Sequence, residues 1–385
     1  MYKYGIVVIG YNRIDSIQRL MSSLLTASYP EQADLIISID NSGTDAVENY
    51  AKTIEWPYGS KIIKTFPERL ALKNHVLHCG NYINEFGYDA IAVLEDDVFV
   101  APGFFEFMVQ AVEKYHDDEV VAGVSLYTHL WNINADRPFI PAYKGYDVFY
   151  LQYPQSWGQV WMKKQWNAFY TWYENKEYEQ LDRNRVPDNV LSWPASSWLK
   201  YHVEYCIDKE KFFVYPYQSL STNFADAGTH YALSTNKMQV PLSTCTEKKY
   251  AFPDSLEETA LYDSSYESMQ LAEGLEIEKK QLAVDLYGMK KRYPDGTKYL
   301  LSTRLLNYRV VKSYGLQMRP WELNIVYQVA GNGIYLYDLS QEENAPQQKH
   351  TSLLNWNYDV RCEKIMKHHF IDIMFSEVYS KFGRK

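Results

Sequence analysis

Apolar and polar positions alternate along the first 130 residues in a way that separates strands from helices. "GIVVIG" (Gly5–Gly10) is a continuous apolar run, the pattern of a parallel strand buried on both faces. Ile14, Ile17, Leu20, Met21, Leu24 and Leu25 then recur at helical spacing, and Pro30 closes the segment. "LIISID" (Leu35–Asp40) predicts a second strand with Asn41-Ser42-Gly43 as its turn. "KIIKTF" (Lys61–Phe66) predicts a third, and a helical stretch follows from about Leu70 to Phe86. "AIAVL" (Ala90–Leu94) is the fourth strand, Phe104–Tyr115 its helix, and "VVAGVSLY" (Val120–Tyr127) the fifth strand. Repeated β-α units imply a mostly parallel central sheet with helices on both faces.

Farther along, the pattern loosens. Tyr143 to Trp198 is aromatic-rich and irregular, and within it Trp157–Tyr173 reads as an amphipathic helix after a Ser156-Trp157-Gly158 turn. "FFVYP" (Phe212–Pro216) reads as a strand, and "STNFADAGTHYALST" (Ser221–Thr235) is polar with one histidine. These segments suggest a domain over residues 1–235 in two halves, 1–100 and 101–235. A linker at 236–265 then leads to an α+β C-terminal region, 266–385. In that region Tyr266–Lys291 reads as helical, Pro294-Asp295-Gly296 as a turn, and Gly331-Asn332-Gly333 as a hairpin signal.

In open parallel sheets, ligands bind outside the carboxyl ends of the strands. That rule selects Tyr11-Asn12-Arg13 after the first strand, Asp40-Asn41 after the second and Glu95-Asp96-Asp97 after the fourth, with Arg69 and Lys73 near the third helix. Three adjacent acids repel one another and raise each other's pKa. A divalent cation, which prefers hard carboxylate oxygens, removes that cost and leaves positive charge facing a diphosphate. A solvated acidic turn is the plain alternative. Strand one is followed by neither a GxGxxG turn nor a P-loop, so phosphates have to be held by something other than a glycine loop.

Composition narrows the partners. The chain has 385 residues, a net charge of −9 and 46% hydrophobic residues, which argues against nucleic acid as the main partner. Its 35 tyrosines and 10 tryptophans suit surfaces that meet sugars, although most aromatics simply pack. The four cysteines form no CxxC pair, so neither a zinc site nor a disulfide framework is expected. No signal-peptide layout and no apolar run near the ~20 residues of a membrane span are present. The expectation is a soluble, cytoplasmic chain.

The motif region resembles GT-A-fold glycosyltransferases, with Glu95-Asp96-Asp97 as a DxD-type metal motif. "GIVVIGYNRIDSIQRLMSSL" resembles the family 2 glycosyltransferases. "VLEDDVFVAPGFFEFM" is similar to the N-acetylglucosaminyltransferase I family, including Ala101-Pro102 and Phe104-Phe105. The resemblance covers roughly residues 5–235. It implies a nucleotide-diphospho-sugar donor (a UDP-sugar favoured), Mn²⁺ or Mg²⁺ as cofactor, and a saccharide or lipid-linked saccharide acceptor of the kind used in bacterial surface polysaccharide. By position it implies that Tyr11, Arg13, Asp40, Arg69, Lys73 and Asp96 serve the nucleotide, with Asp40 accepting from base or ribose. Asp97 then ligates the metal, Asp96 binds ribose or supports the metal, His230 of "AGTHY" is a candidate second metal or phosphate ligand, and Glu95 approaches the donor sugar. Trp157 and Gly158 are the acceptor-side candidates.

An inverting transferase needs a carboxylate base for the acceptor hydroxyl. The segment that supplies it in the related family aligns with Trp198-Leu199-Lys200, which contains no acid. Asp226, Glu204 and Asp188 are the nearby candidates, with Asp226 preferred beside the expected closing loop. Two other readings stay open: a catalytically silent sugar- or nucleotide-binding scaffold, and a metal-dependent nucleotidyl or phosphosugar transferase. The basic C-terminal residues Arg361, Lys364, Lys367, His368 and His369 suggest peripheral membrane contact or an ordinary solvated helix face.

Overall fold

The computed structural model describes residues 2–176, 185–227, 235–346 and 370–371. The elements run in chain order as β1 (Tyr4–Gly10), α1 (Ile14–Leu25), β2 (Ala33–Ile39), α2 (Ala46–Thr53), β3 (Lys61–Thr65), α3 (Ala71–Glu85), β4 (Ala90–Glu95) and β5 (Val98–Val100). They continue with α4 (Phe104–Tyr115), β6 (Val121–Ser125), β7 (Trp131–Asn132), β8 (Arg137–Pro138), β9 (Val148–Leu151), β10 (Gln159–Met162), α5 (Lys163–Glu174), α6 (Asp188–Ser192) and α7 (Trp198–Asp208). Then come β11 (Phe212–Pro216), β12 (Ser221–Asn223), β13 (Leu261–Tyr262), α8 (Leu271–Gly274), β14 (Leu282–Asp285), β15 (Tyr299–Ser302), β16 (Tyr308–Tyr314), α9 (Leu323–Val326) and β17 (Ile334–Glu342).

The chain divides into two compact units, one of residues 1–129, 141–224 and 236–270, the other of 130–140, 225–235 and 271–385. Among the described residues the first unit holds a nine-stranded sheet in the order β13-β9-β11-β6-β10-β4-β1-β2-β3. β1 pairs in parallel with both β2 and β4, and β2 with β3, so the apolar runs of the sequence form the parallel half as expected. Tyr4, Ile6 and Val8 alternate to one face, where they share a core with Ile17, Leu20 and Met21 of α1 and Phe104, Phe105 and Met108 of α4. α3 packs on β1 and β4 and against α5 and α7, covering the opposite face.

Between β4 and β6 the expectation fails. Gln159–Met162, inside the stretch read as one helix, is β10, antiparallel to both neighbours, and the helix starts only at Lys163. All four residues of β10 are buried, so no polar alternation marked them as a strand, and the tryptophan spacing imitated a helix. Behind β10, Trp161 stacks on Trp166 at 4.4 Å. Gly80 of α3 makes room for that pair, because a Cβ there would lie 2.1 Å from the Trp166 ring.

The stretch 236–260 holds a single 3-10 turn, Leu256–Glu258, and within it Tyr250 sits 4.9 Å from Phe107 and Phe252 5.5 Å from Tyr115, before β13 joins the sheet edge beside β9. In the second unit, β14-β15-β17-β16 form a four-stranded sheet over a core that includes Leu286, Leu301, Trp321, Ile325 and Leu336. The helix read over Tyr266–Lys291 is absent there. One turn of helix (α8) and the strand β14 take its place, with Gly288 at φ +70° just past β14.

Candidate functional site

β4 runs apolar to Leu94 and then meets Glu95, followed by a two-residue turn of Asp96 and Asp97 that feeds β5. β5 pairs antiparallel with β12, Val98 facing Asn223. The turn is therefore gripped on its far side: the Phe224 backbone N–H donates to the Asp97 carbonyl at 2.9 Å, and Asn223 Nδ2 donates to Asp97 Oδ1 at 2.9 Å.

Arg13, at the position just before α1, reaches across from the end of β1. Its Nε donates to Asp96 Oδ2 and its Nη1 to Asp97 Oδ2, each at 3.2 Å, while Nη2 pairs with Asp96 Oδ1. Burial alone would lower the Arg13 pKa, but Asp96 and Asp97 outweigh it and hold the guanidinium charged. Glu95, in register with Ile9 of β1, goes the other way: burial first, then repulsion from Asp97 and Asp96, pushes its carboxyl up to about 8 against the pull of Arg13. The crevice thus holds two carboxylates on one cation and a third acid that is reluctant to ionise.

Asp40 ends β2 and is buried. It accepts from the backbone N–H of Asn41 at 2.9 Å, Leu70 at 2.7 Å and Ala71 at 3.0 Å. It therefore holds the entry to α3, where Ala71 takes a left-handed φ of +60° that a non-glycine residue adopts only when its surroundings fix it. A base or ribose contact would share these same two oxygens. Arg69 lies over the Tyr11 ring at 4.9 Å, so those two candidates meet. Lys73 turns instead toward the loop before α7, donating to the Ala195 carbonyl at 3.2 Å, with the Tyr201 ring 5.4 Å away.

β10 delivers the aromatic candidate. Its register sets Gln159 opposite Val93 on one side and Ser125 on the other, so Trp157 arrives at the edge where β4 and β6 end. There Trp157 meets Tyr127 edge-on at 4.8 Å. Gly158 adopts φ +104°, and a side chain there would press on Ser221 Oγ at 2.9 Å. Only glycine fits that position.

Of the proposed bases, Glu204 is paired with Lys176, and Asp188 opens α6. Asp226 belongs to the second unit, whereas Glu95, Asp96 and Asp97 belong to the first. His230 lies outside the described residues, as do Arg361, Lys364, Lys367, His368 and His369. Asn223 was missed from sequence. Its only signal was a polar run after "FFVYP", and nothing local says that this run pairs with Val98–Val100.

The donor set at the turn is chemically suited to a hard divalent ion. Asp96 and Asp97 offer carboxylate oxygens that already converge on one positive group, Arg13. Among the described residues, no cluster of three or more His, Cys, Asp or Glu side chains is arranged to hold a metal ion. Nor is any described helix long and apolar enough to cross a membrane.

Residues 5–185 match the profile of glycosyl transferase family 2. No curated protein sequence matches the chain. Among solved structures, a mannosyltransferase of Pyrobaculum calidifontis in complex with GDP-Man and Mn²⁺ is similar at 14% identity and TM-score 0.31, covering 42% of this chain and 45% of that one. S. aureus TarS is similar at 11% identity and TM-score 0.37, covering 57% and 59%. TarS in complex with UDP-GlcNAc gives 11% and 0.35, covering 55% and 58%. The chain spans less than two thirds of each of these structures.

Proposed function

From the match of residues 5–185 to glycosyl transferase family 2, we propose a metal-dependent transfer of a sugar from a nucleotide-diphosphate donor to a saccharide acceptor, at the crevice where β1, β2 and β4 end. The observation that carries the reading is the convergence of Asp96 and Asp97 on one cation at the carboxyl end of β4. Asp97 and Asp96 would hold Mn²⁺ or Mg²⁺, which supplies Lewis-acid neutralisation of the departing diphosphate. Arg13, and Arg69 on the Tyr11 ring, would bind nucleotide or phosphate, and Asp40 would keep the α3 entry shaped around them. Glu95 would approach the donor sugar. Trp157 and Tyr127 would present aromatic faces and edges to the sugar rings.

In this reading the product has inverted configuration. The acceptor is a surface-polysaccharide precursor, free or lipid-linked, met in the cytoplasm or at the membrane's inner face. The test is a screen of UDP-, GDP- and dTDP-sugars with Mn²⁺, with and without EDTA, scored by nucleoside diphosphate release. EDTA-sensitive diphosphate release supports transfer. Nucleotide binding without turnover points to a silent scaffold, the reading favoured by the missing acid at Trp198-Leu199-Lys200. Release of pyrophosphate or nucleoside monophosphate points to nucleotidyl or phosphosugar transfer.

A further inference from the structure

We propose that Arg13 is a resident counter-cation of the acidic turn and has to leave before a divalent ion can take Asp97. The inference rests on the reading of Asp97 as a metal ligand. Four carboxylate oxygens face the crevice from Asp96 and Asp97. Arg13 engages three of them, Asp96 Oδ1, Asp96 Oδ2 and Asp97 Oδ2, and Asn223 engages the fourth, Asp97 Oδ1. An incoming ion therefore meets no carboxylate oxygen without a donor already on it.

The two occupants differ in how readily they yield. Asn223 is buried on a paired strand, so its amide is fixed against Asp97. Arg13 sits at the position preceding α1, where its carbonyl accepts from the Ile17 N–H at 3.2 Å, but its side chain makes no capping bond and stays a quarter exposed (25%), so rotation about its own side-chain bonds is enough to withdraw it. A diphosphate gives it somewhere to go, because phosphate oxygens match the guanidinium fork as well as a carboxylate does. Nucleotide binding would then strip Arg13 from the turn and expose Asp97 Oδ2. Metal and nucleotide are thereby coupled, each raising the affinity for the other by the same factor.

Manganese binding without nucleotide, read as loss of the free-ion EPR signal, isolates the competition from turnover. Arg13→Gln is expected to bind Mn²⁺ roughly tenfold more tightly than the natural protein, since one set of charge-assisted bonds no longer has to be broken. Arg13→Lys, which keeps the charge, should gain much less. Arg69→Gln controls for the general loss of a nearby positive charge and should also gain little. Adding Asp97→Asn to Arg13→Gln should abolish the gain, with far-UV circular dichroism confirming that each variant folds. If the natural protein and Arg13→Gln bind Mn²⁺ equally well and Asp97→Asn removes binding from both, the metal reading stands and the Arg13 proposal falls. An equal gain in Arg69→Gln also overturns it. If neither protein binds at millimolar Mn²⁺, the metal reading fails and the proposal fails with it.

Discussion

The acidic turn at the end of β4 and the aromatic layer behind β10 solve opposite problems. At the turn, each oxygen of Asp96 and Asp97 has a donor, and the arrangement stays partly open to solvent through Arg13. In the layer, His202 is 1% exposed and stacked on Phe169 at 4.1 Å, and neither of its ring nitrogens has a hydrogen-bond partner among the described residues. One region keeps its charge paired through a partly exposed cation, Arg13, as the proposed ligand site requires. The other accepts unsatisfied polar atoms for the sake of packing, as a structural core does. Substitutions should therefore cost activity at the first and stability at the second.

Asp97→Asn tests that division most severely. The amide keeps an oxygen for Asn223 but loses the charge that a metal needs. Diphosphate release is expected to fall by about a thousandfold, on the order of 4 kcal/mol of transition-state stabilisation. The thermal midpoint should scarcely move, because removing one of the two adjacent carboxylate charges relieves repulsion as it weakens the Arg13 pair. Retained release would make the turn merely structural and erase the contrast.

Acid should act on buried histidines, His202 in the aromatic layer and His129 beside Tyr127 and Trp157. Burial holds His129 and His202 down to about 3, against an unfolded value near 6.5. Between those values the unfolded chain binds protons that the folded one refuses, so stability from these groups is complete above pH 6.5 and is lost as pH falls. The slope is up to about 1.4 kcal/mol per pH unit for each histidine. Urea midpoints across pH 4.5–7.5 measure it, and His202→Phe should remove one histidine's share. A slope unchanged in that variant would mean that His202 is already hydrated in solution.

Gly80→Ala asks how rigid the layer is. The added methyl meets the Trp166 ring at 2.1 Å, and that ring is stacked between Trp161 and Tyr170, so it has no free direction of retreat. Overpacking of this kind costs about 1–3 kcal/mol, and the helix gains back about 1 kcal/mol from losing a glycine. The expected net loss is about 0–2 kcal/mol, read from the urea midpoint, with activity per folded molecule retained.

The two regions were unequally legible in the sequence. β1, β2, β3 and β4 announce themselves as short apolar runs, and the acids at their ends follow from where parallel sheets bind ligands. Arg13 could be selected for its place after β1, but its seat on both aspartates depends on the β1–β4 pairing, which only the fold supplies. Asn223 is harder still, since it reaches Asp97 across more than a hundred residues through the β5–β12 ladder. The aromatic layer misled because burial on every side erases periodicity. Trp161 and Trp166 occupy a strand and a helix respectively, yet their spacing reads as one continuous helix.

His202→Phe at pH 8 is the finest probe of the contrast. Histidine is neutral there, so the substitution exchanges two desolvated ring nitrogens for apolar edges without changing charge. Leaving a buried polar atom unpaired costs about 1–3 kcal/mol. Against that, a six-membered ring is larger than an imidazole, and Phe169 at 4.1 Å and Phe213 at 5.2 Å leave little slack. The balance should be a gain of about 1 kcal/mol, visible as a higher urea midpoint with an unchanged denaturant slope. A variant that loses stability while keeping the natural protein's acid slope would show that those nitrogens find hydrogen-bond partners in solution. The aromatic layer would then be as fully satisfied as the acidic turn, and packing alone would no longer distinguish the two.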